Sequence, residues 1–139
     1  MPTLPKMYTD YAAWFHLLTA PADYAEESAF YMGLIREASA TPPRTLLELG
    51  SGGGNMASHY LEEVDAVLSD LSAGMIALSR TIHPGVEHHV ADMRSLRLGR
   101  TFDAVLVHDA IVYMLGEDDL RQAMTTAWVH LRPGGVAVF

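Results

Sequence analysis

Three carboxylates follow predicted strands of this chain, and their positions indicate where its chemistry lies. Glu48 lies at the end of the apolar segment 45–49, Asp70 follows the segment 66–69, and Asp92 follows 86–90. The carboxyl ends of parallel strands meet at one edge of an open α/β sheet, which is where such sheets bind nucleotide-like ligands. Carboxylates there can accept hydrogen bonds from hydroxyl and amino groups. We therefore expect the binding site at this edge.

A glycine loop follows the first of these strands, in the pattern Glu48-x-Gly50-x-Gly52-x-Gly54. Glycine permits a positive φ and lets a ligand press directly against the backbone. A dinucleotide fingerprint would need a further glycine at position 55, which is Asn55. A pyrophosphate also prefers helix N–H groups without a carboxylate nearby. The spacing therefore makes an NAD-dependent oxidoreductase the weaker interpretation.

The same glycine pattern resembles the first motif of class I S-adenosylmethionine-dependent methyltransferases. Residues 131–135, Leu-Arg-Pro-Gly-Gly before an apolar segment, resemble a late motif of that family. The resemblance covers nearly the whole chain and is to small-molecule methyltransferases, including the kind that methylates sugar amines. It implies S-adenosylmethionine as cofactor, S-adenosylhomocysteine as product, and a nitrogen or oxygen of a small molecule as acceptor. A non-catalytic domain that binds the cofactor or merely dimerises is the alternative hypothesis.

The resemblance also implies roles for individual residues. Asp70 would bind the ribose hydroxyls, Met75 would lie close to the adenine, and Asp92 would take the adenine amino group. Asp70 could instead only cap the next helix, as Ser72 also could, and Asp92 could be an ordinary loop residue. The expected cofactor contacts are Tyr11, Glu48, Gly50, Ser51, Gly52, Asn55, Asp70, Leu71, Met75, Asp92, Met93 and His108.

The segment after the fourth predicted strand lies where an acceptor would approach the methyl group. His108 is a candidate general base, since histidine commonly moves protons near neutral pH. Asp109 could hold a cationic acceptor or orient a histidine, and Tyr113 could donate a hydrogen bond to it. His108 could equally touch the cofactor with its backbone alone. Tyr8 and Trp14, together with Tyr11, are candidates for an aromatic lid over the sulfonium.

Composition excludes several classes of partner. The chain has 139 residues, a formal charge of −8 and a single lysine, Lys6, so it offers no basic surface for nucleic acid. No apolar run approaches a membrane span, and we expect a cytoplasmic protein. Cysteine is absent, and His83, His88 and His89 lack the spacing of a zinc site, so no metal is predicted.

Helices alternate with strands, which predicts an α/β fold with a Rossmann-like, open and mostly parallel sheet and helices on both faces. We expect one domain, 1–139, with an N-terminal helical cap of two helices, 1–40, and a core, 41–139. The predicted strands are 45–49, 66–69, 86–90, 103–108 and 136–139. The first predicted helix has Tyr11, Phe15 and Leu18 on one face and is closed by Pro21, and the next three are 22–38, 55–63 and 73–82. The last predicted helix begins at Glu117 and has an apolar face formed by Leu120, Met124, Ala127 and Leu131.

The last predicted strand ends the chain at Phe139. The family would continue with a further helix and a C-terminal pair of strands, which are missing here. We therefore expect a truncated product with an exposed sheet edge, a feature prone to association. A second copy that covers this edge, giving a homodimer, is the alternative.

Overall fold

Strands and helices alternate along the chain in the computed structural model, which describes residues 3–139. The helices are α1 (Phe15–Leu18), α2 (Ala25–Ala38), α3 (Ala73–Ile82) and α4 (Glu117–Val129), with turns of 3-10 helix at Lys6–Tyr8, Ala12–Trp14, Pro21–Tyr24, Ala57–His59 and Ala110–Tyr113. The strands are β1 (Thr45–Leu49), β2 (Asp65–Asp70), β3 (Glu87–Val90), β4 (Phe102–Leu106) and β5 (Leu131–Val138).

All of the strand pairs within the described residues are parallel, and the strand order is β3-β2-β1-β4-β5. The chain runs outward from β1 to β3 and then crosses back to place β4 on the other side of β1. The crevice between the carboxyl ends of β1 and β4 is therefore the switch point at which such sheets bind ligands. The predicted fold class, an α/β Rossmann-like sheet, is confirmed.

The central strand β1 is buried on both faces, as its continuous apolar sequence predicts. Leu46 and Leu68 face a core cluster that includes Met32 and Ile35 of α2. On the opposite face Leu47 packs with neighbouring strand residues and with α4. Because β1 is packed on both sides, the backbone that carries Glu48 into the crevice is held rigidly.

The helix predicted over 55–63 is wrong, because this segment contains only the 3-10 turn Ala57–His59. Two short polar side chains in it bond to backbone carbonyls. Asn55 Nδ2 donates to Thr19 O at 3.4 Å, and Ser58 Oγ donates to Gly54 O at 3.2 Å. The bond of Ser58 to the carbonyl four residues back is of the kind that bends helices, and the bond of Asn55 ties the start of the segment to the N-terminal residues.

The continuous N-terminal helix is also wrong. Residues 6–24 form short turns around the four-residue α1, so Tyr11 lies outside the helix that contains Phe15 and Leu18. Pro21 begins a turn, Pro21–Tyr24, where it was predicted to close a helix. Proline suits the first helical position because its missing N–H has no partner there in any case. The predicted boundary between cap and core, at residue 40, falls between α2 and β1.

The buried face of α4 differs from the prediction. Ala123, Thr126 and Ala127 are buried, whereas Leu120 and Met124 are largely exposed. Small side chains let the helix approach the sheet closely, and the larger residues beside them then point outward. The strand β5 begins at Leu131, earlier than predicted, and its register against β4 shifts between Phe102 and Ala104.

No helix within residues 3–139 has the length and apolar character needed to cross a membrane.

Candidate functional site

A cavity of about 460 Å³ opens at the carboxyl ends of β1 and β4. It gathers most of the residues that the sequence singled out, from four separate strand ends. Predicted site residues in its wall are Glu48, Gly50, Ser51, Gly52, Asn55, Asp70, Leu71, Asp92, Met93, His108, Asp109 and Tyr113. The cofactor and acceptor residues of the prediction therefore share one continuous space.

Two predicted residues lie outside this wall. Tyr11 is 51% exposed, and Tyr8 lines the cavity instead, because the N-terminal segment is not a continuous helix. Met75 is fully buried on the side of α3 that faces the protein core. The aromatic residues of the wall are Tyr8, Phe15, Tyr24 and Tyr113, while Trp14 is exposed and does not line the cavity.

The glycines of the loop after β1 allow close packing at two positions and leave the backbone open to the cavity at a third. Gly50, Gly52 and Gly54 have φ values of +73°, +55° and +83°. A Cβ on Gly50 would lie 2.2 Å from the Ala110 Cβ, and one on Gly54 would lie 2.6 Å from the Ser79 Oγ. A Cβ on Gly52 would meet nothing within 4 Å, so this residue presents bare backbone to the cavity.

Two buried polar atoms in the wall have no hydrogen-bond partner among residues 3–139. They are Ser51 Oγ and Asn55 Oδ1, in the same loop as Gly52. Buried polar groups are nearly always paired, so the wall fits a ligand that carries polar groups of its own. A nucleoside with an amino acid attached has such groups along its whole length.

Asp70 joins the glycine loop to the start of α3. Its Oδ2 accepts from the Gly52 N–H at 2.9 Å, and its Oδ1 accepts from the Ser72 N–H at 2.8 Å. Ser72 is the residue that caps α3, since its Oγ accepts from the Met75 N–H at 3.1 Å. Burial raises the pKa of Asp70, and each carboxylate oxygen keeps a second lone pair for a ligand.

Glu48 lies in the floor of the cavity and is 1% exposed. The hydroxyl of Tyr60 donates a hydrogen bond to its carboxylate. Burial raises the pKa of Glu48 to about 8, and the charge of Asp70 adds to this effect while the Tyr60 bond opposes it. Sequence reasoning missed Tyr60, because that residue falls in the segment misread as a helix.

Asp92 is held by the residue two positions further along the chain. The guanidinium of Arg94 reaches its Oδ2 at 2.7 Å and also bonds to Asp119 at 2.9 Å. Arg94 lowers the pKa of Asp92, so this carboxylate stays ionised in the folded protein. The sequence analysis also missed Arg94, because an arginine shortly after a strand does not by itself indicate a contact with the site.

His108 lies between the cofactor cavity and a second, shallower one. Its Nε2 is 2.6 Å from Glu27 Oε2 and 3.5 Å from Asp109 Oδ2. The second cavity, of about 520 Å³, is lined by Glu26, Glu27, Phe30, Tyr31, His108 and Asp109. His108 and Asp109 thus line both cavities.

Asp109 adopts a φ of +58°, which is rare outside glycine. The turn around it is closed by the Ala110 N–H, which donates to His108 O at 2.6 Å. Such strained residues gather at functional sites and cost about 1–3 kcal/mol.

Further histidines are engaged by the protein itself: His88 Nε2 lies 2.8 Å from Ser79 Oγ, His83 Nε2 lies 2.9 Å from Gly54 O, and His89 Nε2 lies 2.7 Å from Glu87. Each of these three rings therefore has a polar contact within the protein. Glu27, His108 and Asp109 do bring ligand atoms within 4.8 Å of one another, although the sequence predicted no metal. The ion pair between His108 and Glu27 already accounts for that proximity.

The N-terminal segment closes one side of the cavity. The Tyr8 and Tyr113 hydroxyls are 2.7 Å apart and their rings meet edge to face. Ser72 Oγ donates to Tyr8 O, which ties the segment to the start of α3. Tyr113 therefore contacts Tyr8 from the far side of the cavity mouth.

Residues 46–135 match the protein family described as a methyltransferase domain, and the chain belongs to that family. The predictions of a class I methyltransferase and of S-adenosylmethionine as the family's cofactor are confirmed. Among relatives, the chain is 35% identical to a dTDP-3-amino-3,4,6-trideoxy-alpha-D-glucopyranose N,N-dimethyltransferase of Streptomyces venezuelae over 84% of this chain and 49% of the relative. It is 33% identical to the dTDP-3-amino-3,6-dideoxy-alpha-D-glucopyranose N,N-dimethyltransferase of Streptomyces fradiae, over 84% and 46%.

Solved structures of similar proteins share the fold of this chain. Streptomyces venezuelae DesVI superposes with a TM-score of 0.84 at 31% identity, over 93% of this chain and 56% of that one. The amino pentose methyltransferase CalS10 from Micromonospora echinaspora, solved with S-adenosylmethionine bound, gives 0.77 at 31% identity, over 99% and 56%. The chain spans about half the length of the curated relatives it matches.

Proposed function

We propose that this chain binds S-adenosylmethionine in the 460 Å³ cavity and transfers its methyl group to a nitrogen of a small-molecule amine. One observation carries the proposal. The bare backbone of Gly52 lies beside the Asp70 carboxylate at the switch point of the sheet, in a wall that also holds two unpaired buried polar atoms. This combination suits a ligand that joins a nucleoside to an amino acid.

The residues of the wall divide the cofactor between them. Asp70 would accept hydrogen bonds from the ribose hydroxyls, and Asp92 and Met93 would contact the adenine. Glu48, deep in the floor, would accept a hydrogen bond from the amino group of the methionine portion, and Ser51 and Asn55 would bond to its polar groups. When bound, the cofactor supplies a methyl group that its sulfonium has already activated.

The acceptor side favours an amine over a hydroxyl. The second cavity carries the carboxylates of Glu26, Glu27 and Asp109, and the aromatic rings of Phe30 and Tyr31. Carboxylates and aromatic faces both attract an ammonium group. The relatives named above, which act on amino sugars, support the same choice. Methyl transfer to oxygen is the less supported form of the proposal.

An ammonium must lose a proton before its nitrogen can attack a methyl group. His108, which lines both cavities, would take that proton, and Glu27 would orient its ring and stabilise the imidazolium that forms. Asp109 and Tyr113, at the edge of the same cavity, would position the acceptor. Much of the rate would come from alignment, since the methyl donor is already reactive.

The test is methyl transfer from S-adenosylmethionine, labelled in its methyl group, to a panel of amines and phenols. We expect labelled amine products in greater yield than labelled phenols. A folded chain that binds S-adenosylhomocysteine but labels no acceptor would favour the alternative, a non-catalytic binding domain. The homodimer through the β5 edge, the lack of nucleic-acid partners and the cytoplasmic location stay predictions; sedimentation of the purified chain tests the first.

Glu27→Gln separates the proton-transfer role from simple binding. We expect the maximal rate of methyl transfer to fall by about 10-fold, because the His108 ring loses its ionic partner, while S-adenosylhomocysteine binds as before. Glu27→Asp should recover part of the rate. Glu26→Gln is the matched control, since Glu26 lines the same cavity without contacting His108. An equal loss in both variants would contradict the assignment.

A further inference from the structure

Arg94 makes an unusually complete set of contacts with one carboxylate. Its Nε lies 3.1 Å from each oxygen of Asp92, its Nη2 lies 2.7 Å from Oδ2, and its own backbone N–H donates to Oδ1 at 2.8 Å. A planar guanidinium that grips both oxygens fixes the plane of the carboxylate as well as its position. Asp92 therefore has a single orientation at the end of β3.

The other end of Arg94 is anchored as well. Its Nη1 donates to Asp119 Oδ1 at 2.9 Å, in the first turn of α4. The side chains of Arg94 and Asp92 are 21% and 18% exposed, so solvent screens their pairing only in part. The bridge links the loop after β3 to α4, whose preceding turn lines the cavity.

The contacts of Arg94 with both oxygens of Asp92, called the clamp below, limit which ligand groups Asp92 can bind. An ionised carboxylate has about four acceptor positions and no donor. Arg94 supplies three N–H groups to these positions, and the Nε–H is shared between Oδ1 and Oδ2, which leaves room for about one more donor on Oδ2. Arg94 also keeps Asp92 ionised, by lowering its pKa. A fixed group that only accepts will bind an amino group and repel a carbonyl oxygen.

We propose that Arg94 is the positioning residue for base selection: by clamping Asp92 it makes the site accept a 6-amino purine nucleoside and reject a 6-oxo one. This inference rests on the proposed cofactor site. It goes further in assigning a function to Arg94 and in predicting which purine is excluded. Opposing two acceptors leaves both without a hydrogen bond, which corresponds to a preference of about 30-fold.

The experiment is calorimetric titration of the whole chain with S-adenosylhomocysteine and with S-inosylhomocysteine, which carries a carbonyl oxygen in place of the adenine amino group. The wild-type chain should bind the adenosine compound about 30-fold more tightly. In Arg94→Met the binding of S-adenosylhomocysteine should weaken and the preference should fall below about 5-fold, because Asp92 is then free to rotate.

Two further variants keep the test independent of folding. Arg94→Lys keeps the positive charge but cannot grip both oxygens, so the preference should again fall. Asp119→Asn weakens the bridge to α4 while the contacts of Arg94 with Asp92 remain, so the preference should stay close to the wild-type value. If Asp119→Asn lost the preference for the adenosine compound while the two Arg94 variants kept it, the preference would depend on α4 and the inference would be overturned.

The outcomes distinguish the inference from the proposal on which it rests. If the wild-type chain binds both compounds equally, or Arg94→Lys and Arg94→Met keep the full preference, the inference is overturned while the cofactor site stands. If the folded wild-type chain binds neither compound, the cofactor site fails and the inference fails with it.

Discussion

The two sides of the cavity are built in different ways. On the cofactor side, Asp70 is held by backbone N–H groups and Glu48 is fully buried at the end of a central strand. On the acceptor side, the Asp109 side chain is 82% exposed on a strained turn, and His108 is held by a side chain from a distant helix. One side is fixed by the sheet itself and the other by contacts between separate segments.

This difference has a consequence for function. Groups fixed by a packed sheet can recognise the constant part of a reaction, which here is the proposed cofactor. Groups on exposed turns can vary without disturbing the core, and they suit the part of the site that recognises the acceptor. Substitutions on the two sides should therefore affect binding of the cofactor and turnover of the acceptor separately.

Asp70→Ala should have the largest effect on the cofactor side. The change removes the proposed ribose ligand and leaves the N–H groups of Gly52 and Ser72 without their acceptor. We expect S-adenosylhomocysteine to bind about 100-fold more weakly in a calorimetric titration, since hydrogen bonds to charged groups are among the strongest. Asp65→Ala, at the opposite end of the same strand, should bind normally. Equal affinity of Asp70→Ala and the wild-type chain would break the comparison.

Gly52→Ala should come next, at about 10-fold weaker binding of S-adenosylhomocysteine, because the added Cβ projects into the space for the ligand. Gly99→Ala is its matched control. Gly99 has a φ of +69°, similar to the +55° of Gly52, and its Cβ would also meet nothing within 4 Å. Both variants should lose about 1 kcal/mol of stability from the positive φ. Only the first should lose affinity, and a similar loss in both would point to backbone strain.

The stability of the cofactor side should depend on pH through Glu48. Its pKa in the folded chain, about 8, lies above the ordinary value of 4.5, so the folded state holds a proton that the unfolded state has released. Its contribution is full below the ordinary value and is lost as pH rises toward about 8. Between about pH 6.5 and about pH 7.5, the free energy of unfolding should fall by about 1 kcal/mol.

Urea denaturation at both pH values measures this slope, and Glu48→Gln provides the comparison, since its amide still accepts from Tyr60 and does not titrate. Burial also raises the pKa of Asp70, which both chains share, so the difference between their two slopes is the contribution of Glu48. An unchanged slope in Glu48→Gln would show that Glu48 is already ionised in the folded chain.

Tyr113→Phe should have the smallest effect. It removes the bond between the Tyr113 and Tyr8 hydroxyls on the acceptor side, where solvent can replace it, and should cost about 0.5 kcal/mol in thermal unfolding. Tyr11→Phe, an exposed tyrosine outside the cavity wall, should cost nothing measurable. A loss several times larger in Tyr113→Phe would mean that this contact holds the whole N-terminal segment in place.

Sequence reasoning succeeded where function lies in local patterns. The strand β1 and the helix α3 have the predicted bounds, because an apolar run and a glycine loop define them within a few residues. The strand ends that carry Asp70 and Asp92 follow from the same patterns.

It failed where a position depends on tertiary contacts. Glu27, Tyr60 and Arg94 contact predicted site residues, yet each has an ordinary alternative explanation in sequence. Glu27, for example, lies in the first turn of α2, where an acidic residue is in any case favoured by the helix dipole. The turns of residues 6–24 and the buried face of α4 likewise depend on neighbours that local sequence does not reveal.

The most direct test of the central claim is a calorimetric titration of the wild-type chain with S-adenosylhomocysteine, with NADH titrated in parallel. We predict saturable binding of S-adenosylhomocysteine at one site and no binding of NADH. Binding of NADH by a folded chain that ignores S-adenosylhomocysteine would contradict the account, because the glycine loop and its acidic neighbours would then serve a dinucleotide.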